Sequence, residues 1–279
     1  MQRIGFGTKR LAGNAGDRPG VREHAVELLR RAIELGVNHL DTADFYPSYA
    51  PPGSPAGEFE PLGWAKDAIR EALAPYGDDL VIATKVGPTK AGMCRPDELR
   101  ALVEADLQAL GLETLDLVYL RQAGLPSVAE HFGVLAELQA KGMIRHLGLA
   151  SIRAEQLAQA QEIAPVVAVQ NRYGVGYGRV NDGILQTCGE QGIAFVPYFA
   201  LTAESRETGG VSINDVIQEI ADRHGATPAQ IRLAWTLSRG DHVLAIPGTS
   251  SQLHLEENLE AGSIRLSPEE RTVLDSVTD

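Results

Sequence analysis

Short runs of apolar residues alternate along the chain with longer segments in which apolar residues recur at helical spacing. The short runs are continuously apolar, which is typical of parallel strands that are buried on both faces. The longer segments place apolar residues three or four positions apart, as at Ala25, Leu28, Leu29 and Ala32, and this spacing predicts helices with one buried face. The chain is therefore predicted to consist of repeated strand–helix units.

Eight apolar runs are predicted as strands, and each is followed by at least one predicted helix. Eight such units favour a single-domain (β/α)8 TIM barrel over residues 1–279, a length that suits this α/β fold. An open doubly wound sheet is the rival, but the first strand continues as GFGTKR and lacks the third glycine of a dinucleotide fingerprint. The predicted strands are residues 3–7, 38–42, 80–86, 114–120, 144–150, 165–170, 193–199 and 243–247. Capping boxes are predicted at Ser127 with Glu130, Thr227 with Gln230 and Ser267 with Glu270.

Composition narrows the classes of partner and the cellular setting. The formal net charge of −12 argues against nucleic acid and anionic membranes as partners, and no run of about 18 apolar residues predicts a membrane span. Cys94 and Cys188 form no CxxC pair and the seven histidines show no metal-ligand spacing, so no metal site is predicted. With two cysteines and no signal-peptide pattern, the chain is expected in the cytoplasm. Its oligomeric state is left open.

Charged and phenolic side chains occur where the predicted strands end, which is where barrel enzymes carry their sites. The second strand ends in Asp41 with Tyr46 shortly after it, the third ends in Lys85, and Arg121 follows the fourth. A lysine buried at a strand end requires a partner, and Asp41 on the neighbouring strand is the obvious one. The ammonium group would lower the pKa of the Tyr46 phenol, so that Tyr46 can protonate a carbonyl oxygen. These residues predict carbonyl reduction, with the hydride supplied by a cofactor.

The segment PGTSS after the eighth predicted strand leads directly into a predicted helix. Backbone N–H groups and hydroxyls at such a helix start form an anion site, and barrels often bind phosphate there. Tyr198, in the seventh predicted strand, offers a flat face for a nicotinamide ring, and Gln170 offers a hydrogen bond to its carboxamide. The segment therefore favours a phosphate-bearing nicotinamide cofactor.

Motifs in a consistent order run along essentially the whole chain: GFGT, GVNHLDTADFY, ATKVG, LDLVYL, KGMIRHLGLAS, VQNRY and IPGTSSQLHLEENLEA. In these motifs the chain resembles the aldo-keto reductase family, and its DFY, GTSS and VPYF segments are similar to the bacterial pyridoxal reductase branch. The resemblance implies NADPH-dependent reduction of an aldehyde or ketone by an Asp-Tyr-Lys-His tetrad, of which Asp41, Tyr46 and Lys85 are kept. The implied cofactor-binding residues are Gly7, Thr8, Ser151, Gln170, Tyr198, Gly248, Thr249, Ser250, His254, Glu257 and Asn258.

Some positions depart from the family pattern. The tetrad histidine is replaced by Arg121, which can polarise a carbonyl with fixed hydrogen bonds or hold an anionic substrate group. Gly248 and His254 stand where many members carry Lys and Arg for the 2′-phosphate, so NADPH is expected with NADH as the open alternative. Residues 47–61 form a long segment rich in proline and glycine that is expected to shape the substrate pocket. Residues 202–210 are either a flap over the cofactor or a solvated loop.

The resulting hypothesis is a reductase of a small-molecule carbonyl compound, with pyridoxal or a related aromatic aldehyde as the first substrate to test. The alternative is a biosynthetic tailoring enzyme on the same barrel, which catalyses dehydration or isomerisation with Arg121 as an electrostatic clamp. A non-catalytic cofactor-binding protein is a further rival, against which the retained Asp-Tyr-Lys unit argues. His39, two residues before Asp41, is expected to be a core histidine.

Overall fold

Seven parallel strands form one curled sheet in the part of the chain that the structure describes. The structure is a computed structural model that describes residues 2–11, 20–43, 45, 64–89, 91–201 and 214–277. Its strands are β1 (Phe6–Gly7), β2 (His39–Asp41), β3 (Val81–Val86), β4 (Pro88–Thr89), β5 (Gly92–Met93), β6 (Leu115–Arg121), β7 (Ile144–Ala150), β8 (Ala168–Gln170) and β9 (Ala194–Phe195). The sheet order is β1-β2-β3-β6-β7-β8-β9, while β4 and β5 form a separate antiparallel pair.

Helices connect successive strands of the sheet, as parallel strands require. The α-helices of the described residues are α1 (Val21–Glu34), α2 (Trp64–Leu73), α3 (Leu99–Leu110), α4 (Ala129–Ala140), α5 (Ala154–Gln161), α6 (Asp182–Glu190), α7 (Asp215–His224), α8 (Pro228–Leu237), α9 (Gln252–Glu260) and α10 (Pro268–Asp275). Short 3₁₀-helices cover Thr8–Arg10, Pro96–Glu98, Arg179–Asn181 and Ala261–Ser263. Strands alternating with helices around a curled parallel sheet fit an α/β barrel. No helix in the described ranges is long and apolar enough to cross a membrane.

The eighth predicted strand is not a regular strand in the structure. Residues 243–247 instead make single parallel bridges to both edges of the sheet, Val243 with Phe195 and Ala245 with Ile4. Pro247 has no backbone N–H and therefore cannot extend a ladder of hydrogen bonds. The described part of the sheet thus has seven strands rather than the eight that were predicted.

Two other predictions need correction. The predicted strand 193–199 is regular only at Ala194–Phe195, since Pro197 lacks an N–H and Phe199 has a positive φ of 63°. The capping box at Ser127 is wrong, because α4 has Val128 as its N-cap, with no side-chain cap hydrogen bond. The capping boxes at Thr227 and Ser267 are confirmed.

Small residues inside the sheet leave room for the large polar side chains of its interior. Tyr119 of β6 lies opposite Gly148 of β7, and a Cβ added to Gly148 would lie 2.6 Å from the Tyr119 ring. Ala83, Ala150 and Ala168 surround the same buried space. The main hydrophobic cluster lies on the other face of the sheet, where the helices cover it. The interior is therefore a narrow space into which a few polar residues project.

Candidate functional site

A buried ion pair lies at the carboxyl ends of β2 and β3. Asp41 pairs with Ala83 in the parallel register, so Lys85, two residues further along β3, leans back over Asp41. Lys85 Nζ donates to Asp41 Oδ1 at 2.5 Å and to the carbonyl oxygen of Thr42 at 3.0 Å. The two side chains are only 3% and 2% exposed. The predicted pairing of Lys85 with Asp41 is therefore confirmed.

Gln170 completes the hydrogen bonding of this carboxylate from across the interior. Its Nε2 donates to Asp41 Oδ2 at 2.7 Å, although β8 and β2 are not neighbours in the sheet. Gln170 was predicted to bond a nicotinamide carboxamide; in the structure its amide nitrogen contacts Asp41. The contact joins residues 129 positions apart, which the sequence pattern does not reveal. Lys85 and Gln170 together hold the Asp41 carboxylate from two sides.

Burial and charge set the protonation properties of this layer. Burial is the largest cause that lowers the pKa of Lys85; the charges of Arg121 and Lys66 act in the same direction, and Asp41 opposes them. Burial also lowers the pKa of His39, one layer deeper on β2. His39 is 1% exposed, in agreement with the prediction of a core histidine. The ammonium of Lys85 is thus a desolvated charge held next to a carboxylate.

Tyr46, the predicted proton donor, lies outside the described residues, as do Asp44 and the segments 47–61 and 202–210. The described residue nearest to Tyr46 along the chain is Phe45. The central carbon of the Arg121 guanidinium lies 5.7 Å from the centroid of the Phe45 ring.

Ser151 and Tyr198 meet at the ends of β7 and β9. The Ser151 hydroxyl lies 3.1 Å from the Tyr198 hydroxyl, and Ser151 has a φ of 60°, which is unfavourable for a residue with a side chain. Phe199, directly after Tyr198, has a φ of 63°. Backbone strain of this kind is often found at functional sites. The structure therefore brings together Ser151 and Tyr198, which were both predicted as cofactor contacts.

The loop after β1 packs closely against the loop after residues 243–247. A Cβ added to Gly7 would lie 2.6 Å from the carbonyl oxygen of Ile246, and one added to Gly248 would lie 2.5 Å from that of Gly7. Both positions therefore require glycine. Thr8 Oγ1 donates to the carbonyl oxygen of Asp41 at 3.1 Å. Gly7, Thr8 and Gly248 are thus joined by these contacts to the buried ion pair.

The helix start that follows this loop is capped by its own hydroxyl groups. Thr249 Oγ1 accepts the backbone N–H of Ser251 at 3.0 Å, and Ser251 Oγ accepts that of His254 at 3.4 Å. Ser251 is the N-cap of α9, so Ser250 precedes the cap. Further along α9, Asn258 is buried and His254 is exposed. The segment PGTSS therefore leads directly into a helix, as predicted.

Sequence reasoning missed His24 as a neighbour of this loop. His24 Nε2 lies 2.7 Å from the carbonyl oxygen of Ser250, which joins α1 to the loop. Arg31 of the same helix bonds Glu256 of α9 at 3.0 Å. The pKa of Glu256 is lowered chiefly by this hydrogen bond. No local pattern marks His24, because its contact depends on how α1 and α9 pack.

Other reactive groups do not form a second centre within the described residues. No group of histidine, cysteine and acidic side chains there has the arrangement to hold a metal ion. Burial raises the pKa of Cys94 to about 11 and that of Cys188 to about 12, which keeps both thiols protonated near neutral pH. Glu257, predicted as a cofactor contact, accepts a hydrogen bond at its backbone carbonyl oxygen from Gln230 Nε2 at 2.9 Å.

The model of the Aldo/keto reductase family matches residues 3–279. The chain belongs to the aldo/keto reductase family. This aldo/keto reductase is 37% identical to pyridoxine 4-dehydrogenase of Escherichia coli over 299 residues, which cover 100% of this chain and 95% of that protein. It is 36% identical to an uncharacterized oxidoreductase of Schizosaccharomyces pombe, with 99% and 86% of the two chains covered. The resemblance inferred from the motifs is confirmed.

Solved structures of other family members have the same fold. A thermostable aldo-keto reductase in complex with the inhibitor epalrestat superposes with a TM-score of 0.80 at 31% identity, over 99% of this chain and 95% of that one. An aldo-keto reductase from Klebsiella pneumoniae in complex with NADPH gives 0.79 at 26% identity, over 98% and 89%. The protein is therefore an oxidoreductase with the family's α/β barrel architecture.

Proposed function

We propose that this aldo/keto reductase uses NADPH to reduce a small aldehyde or ketone to an alcohol, with Tyr46 as the general acid. The observation that carries the proposal is the buried Lys85–Asp41 pair, held by Gln170 at the carboxyl end of the sheet. A desolvated ammonium stabilises a nearby phenolate and so lowers the pKa of a tyrosine. Tyr46 follows Asp41 by five residues, which is short enough to place its hydroxyl near Lys85.

The described residues provide groups that suit NADPH. The N-terminus of α9, with Thr249 and Ser250 before it, offers N–H and hydroxyl groups for phosphate. Tyr198 offers a ring face for the nicotinamide, with Ser151 bonded to its hydroxyl. The remaining contacts with the cofactor are assigned to Gly7, Thr8, Gly248, His254, Glu257 and Asn258. When bound, NADPH supplies the hydride, and NADH is the alternative donor.

Each residue of the candidate site is assigned one task. Tyr46 gives a proton to the carbonyl oxygen, and Lys85 keeps that proton mobile by stabilising the phenolate. Asp41 holds Lys85 in position, and Gln170 holds Asp41. Arg121 replaces the family histidine and donates hydrogen bonds to the carbonyl oxygen.

Pyridoxal or a related aromatic aldehyde is the proposed substrate class. The support is the 37% identity to pyridoxine 4-dehydrogenase of Escherichia coli over the whole chain. We further infer that residues 243–247 take the place of the eighth strand and close a (β/α)8 barrel formed by one domain. They bridge both edges of the seven-stranded sheet. A cytoplasmic location fits the reduced, buried cysteines.

The test is NADPH consumption with a panel of carbonyl compounds that includes pyridoxal, run in parallel with NADH. The Tyr46→Phe variant is expected to reduce turnover about 10²- to 10⁴-fold, the usual contribution of a general acid. Tyr76→Phe is the matched control, since Tyr76 bonds the carbonyl oxygen of Leu110 away from the candidate site. Product mass decides the reaction: a gain of two hydrogens supports reduction.

Two results would contradict the proposal. A product that has lost water would support the tailoring enzyme centred on Arg121, whose presence at the tetrad histidine position favours that alternative. Unchanged turnover in Tyr46→Phe, with the fold intact by circular dichroism, would remove Tyr46 from its role. Either result leaves the family membership as it stands.

A further inference from the structure

Arg121 occupies the last position of β6 on the face that carries the candidate site. It follows Tyr119 by two residues, so both side chains point to the same face of the sheet. Tyr119 pairs with Lys85 of β3, which places Arg121 one step beyond Lys85 toward the carboxyl end. The Arg121 side chain is half-buried, whereas Tyr119 is fully buried. Arg121 therefore lies between the level of Lys85 and the carboxyl edge of the sheet.

Arg121 has no carboxylate partner within the described ranges of the chain. Its guanidinium donates one long hydrogen bond, 3.4 Å, to the carbonyl oxygen of Gln122 and otherwise lies over the Phe45 ring. Arg145 on the neighbouring strand, by contrast, bonds the carboxylate of Asp116 at 3.0 Å. Because a guanidinium carries five N–H donors, Arg121 keeps several of them available for a ligand.

Asp41, the acidic residue at the end of β2, already forms an ion pair with another cation. Lys85 donates to one oxygen of Asp41 and Gln170 donates to the other. The chain has a net charge of −12, and the described residues still place no acid on Arg121. A partly desolvated cation without a counter-charge is unfavourable. An anionic group on the substrate would supply that counter-charge.

We infer that Arg121 determines specificity by binding an ionised hydroxyl that lies ortho to the carbonyl group of an aromatic aldehyde. The inference rests on the proposed reductase function and names its substrate class. A guanidinium presents two parallel N–H donors in a planar fork, and an ortho-hydroxy aldehyde presents two oxygens along one edge. The Phe45 ring, whose centroid lies 5.7 Å from the guanidinium carbon, provides an aromatic surface beside that fork.

The reaction balances without any further reactant. The carbonyl carbon accepts a hydride from NADPH and the carbonyl oxygen accepts a proton, so aldehyde, NADPH and one proton give alcohol and NADP⁺. The ortho oxygen keeps its charge throughout and stays on Arg121. The carbonyl edge is thereby held in one orientation while the bonds change.

The kinetic test compares 2-hydroxybenzaldehyde with 3-hydroxybenzaldehyde and benzaldehyde. Wild-type kcat/KM is expected to favour the ortho isomer by about 10- to 100-fold, the range of a charge-assisted hydrogen bond. Arg121→Met removes the charge at similar length and is expected to abolish that preference. Arg121→Lys keeps the charge but loses the fork and is expected to retain part of it. An equal loss with all three aldehydes in Arg121→Met would overturn the inference.

A binding test separates this inference from the reductase proposal. Calorimetry on the NADP⁺-loaded protein is expected to show tighter binding of 2-hydroxybenzaldehyde than of its 3-hydroxy isomer, by about tenfold or more. The difference is expected to disappear in Arg121→Met. If binding discriminates but no aldehyde is reduced, Arg121 recognition stands and the reductase proposal fails. Equal binding of both isomers to the wild type overturns the recognition by Arg121, whatever the turnover.

Discussion

Two lysine–aspartate pairs lie on opposite faces of β3, and both are withdrawn from water. Lys85 points to the interior and bonds Asp41, with side chains 3% and 2% exposed. On the other face Lys66 of α2 bonds Asp106 of α3, with side chains 1% and 0% exposed. Thr84, the residue before Lys85, donates to Asp106 Oδ2 at 2.6 Å. One strand therefore separates two buried ion pairs of the same composition.

The surroundings, rather than the pairing, distinguish the two. The Lys66–Asp106 pair joins two helices to the back of a strand, on the face of the sheet that the helices cover. The Lys85–Asp41 pair lies at the carboxyl end of the sheet, below Arg121 and next to Gln170. Burial and a short contact therefore do not by themselves mark a lysine as catalytic. The role proposed for Lys85 rests on the face of β3 that carries it and on its position near the carboxyl end of that strand.

Replacing Lys85 is expected to have the largest effect on activity. Lys85→Met should lower kcat/KM by about 10²- to 10⁴-fold, because Tyr46 loses the charge that stabilises its phenolate. Steady-state kinetics near neutral pH measures the change, with Lys141→Met as a matched control at an exposed position. Activity within tenfold of the wild type would show that the interior pair is only structural and would erase the comparison.

Single replacements in the outer pair, which lies away from the candidate site, should act on stability rather than on the chemistry of the site. Lys66→Met or Asp106→Leu leaves one buried charge unpaired and is expected to reduce the free energy of unfolding by about 3–5 kcal/mol. The double variant removes both charges and should regain most of that loss, since a buried pair is often no more stable than apolar residues. Chemical denaturation measures both.

Removing the outer pair should leave the catalytic activity of the folded protein nearly unchanged. In the double variant, kcat/KM per folded molecule should remain within about threefold of the wild type, since the folded sites would be alike. A much larger loss would show that Thr84 and Asp106 hold β3 in the position that Lys85 needs. If the single variants are as stable as the wild type, an unpaired charge at this position does not lower the free energy of unfolding, and the prediction is wrong.

The two pairs also differ in how far the sequence reveals them. Asp41 and Lys85 end apolar strands, so their meeting follows from a parallel register. The outer pair was missed, although one signal marks it. Asp106 occupies the apolar stripe that Leu99, Val103 and Leu110 otherwise form on α3. A charged residue in such a stripe requires a buried partner, and a search for one on the neighbouring helix would have led to Lys66.

Contacts that depend on curling of the sheet could not be predicted. Gln170 reaches Asp41 from a strand far along the sheet, and His24 reaches Ser250 through the packing of α1 beside α9. Neither contact leaves a periodic trace, because each joins residues that lie far apart along the chain. The order of strands and helices was predictable because it rests on local apolar periodicity. The irregular segment 243–247 was not, because its pairing is decided by two distant edges.

The smallest expected effect concerns His39, one layer below the interior pair. His39 is buried, and neither ring nitrogen has a hydrogen-bond partner in the described residues. Burial lowers its pKa from the ordinary 6.5, with Lys85 acting in the same direction and Asp41 against it. Below pH 6.5 His39 is protonated in the unfolded chain but stays neutral in the folded protein. The free energy of unfolding therefore falls as the pH falls from 6.5 toward the pKa of folded His39. The His39→Leu variant should lose less stability than the wild type between pH 7.5 and 5.5, by up to about 1.4 kcal/mol per pH unit. A wild type that loses less than the variant would show that Asp41 outweighs burial and that the interior accepts a second positive charge.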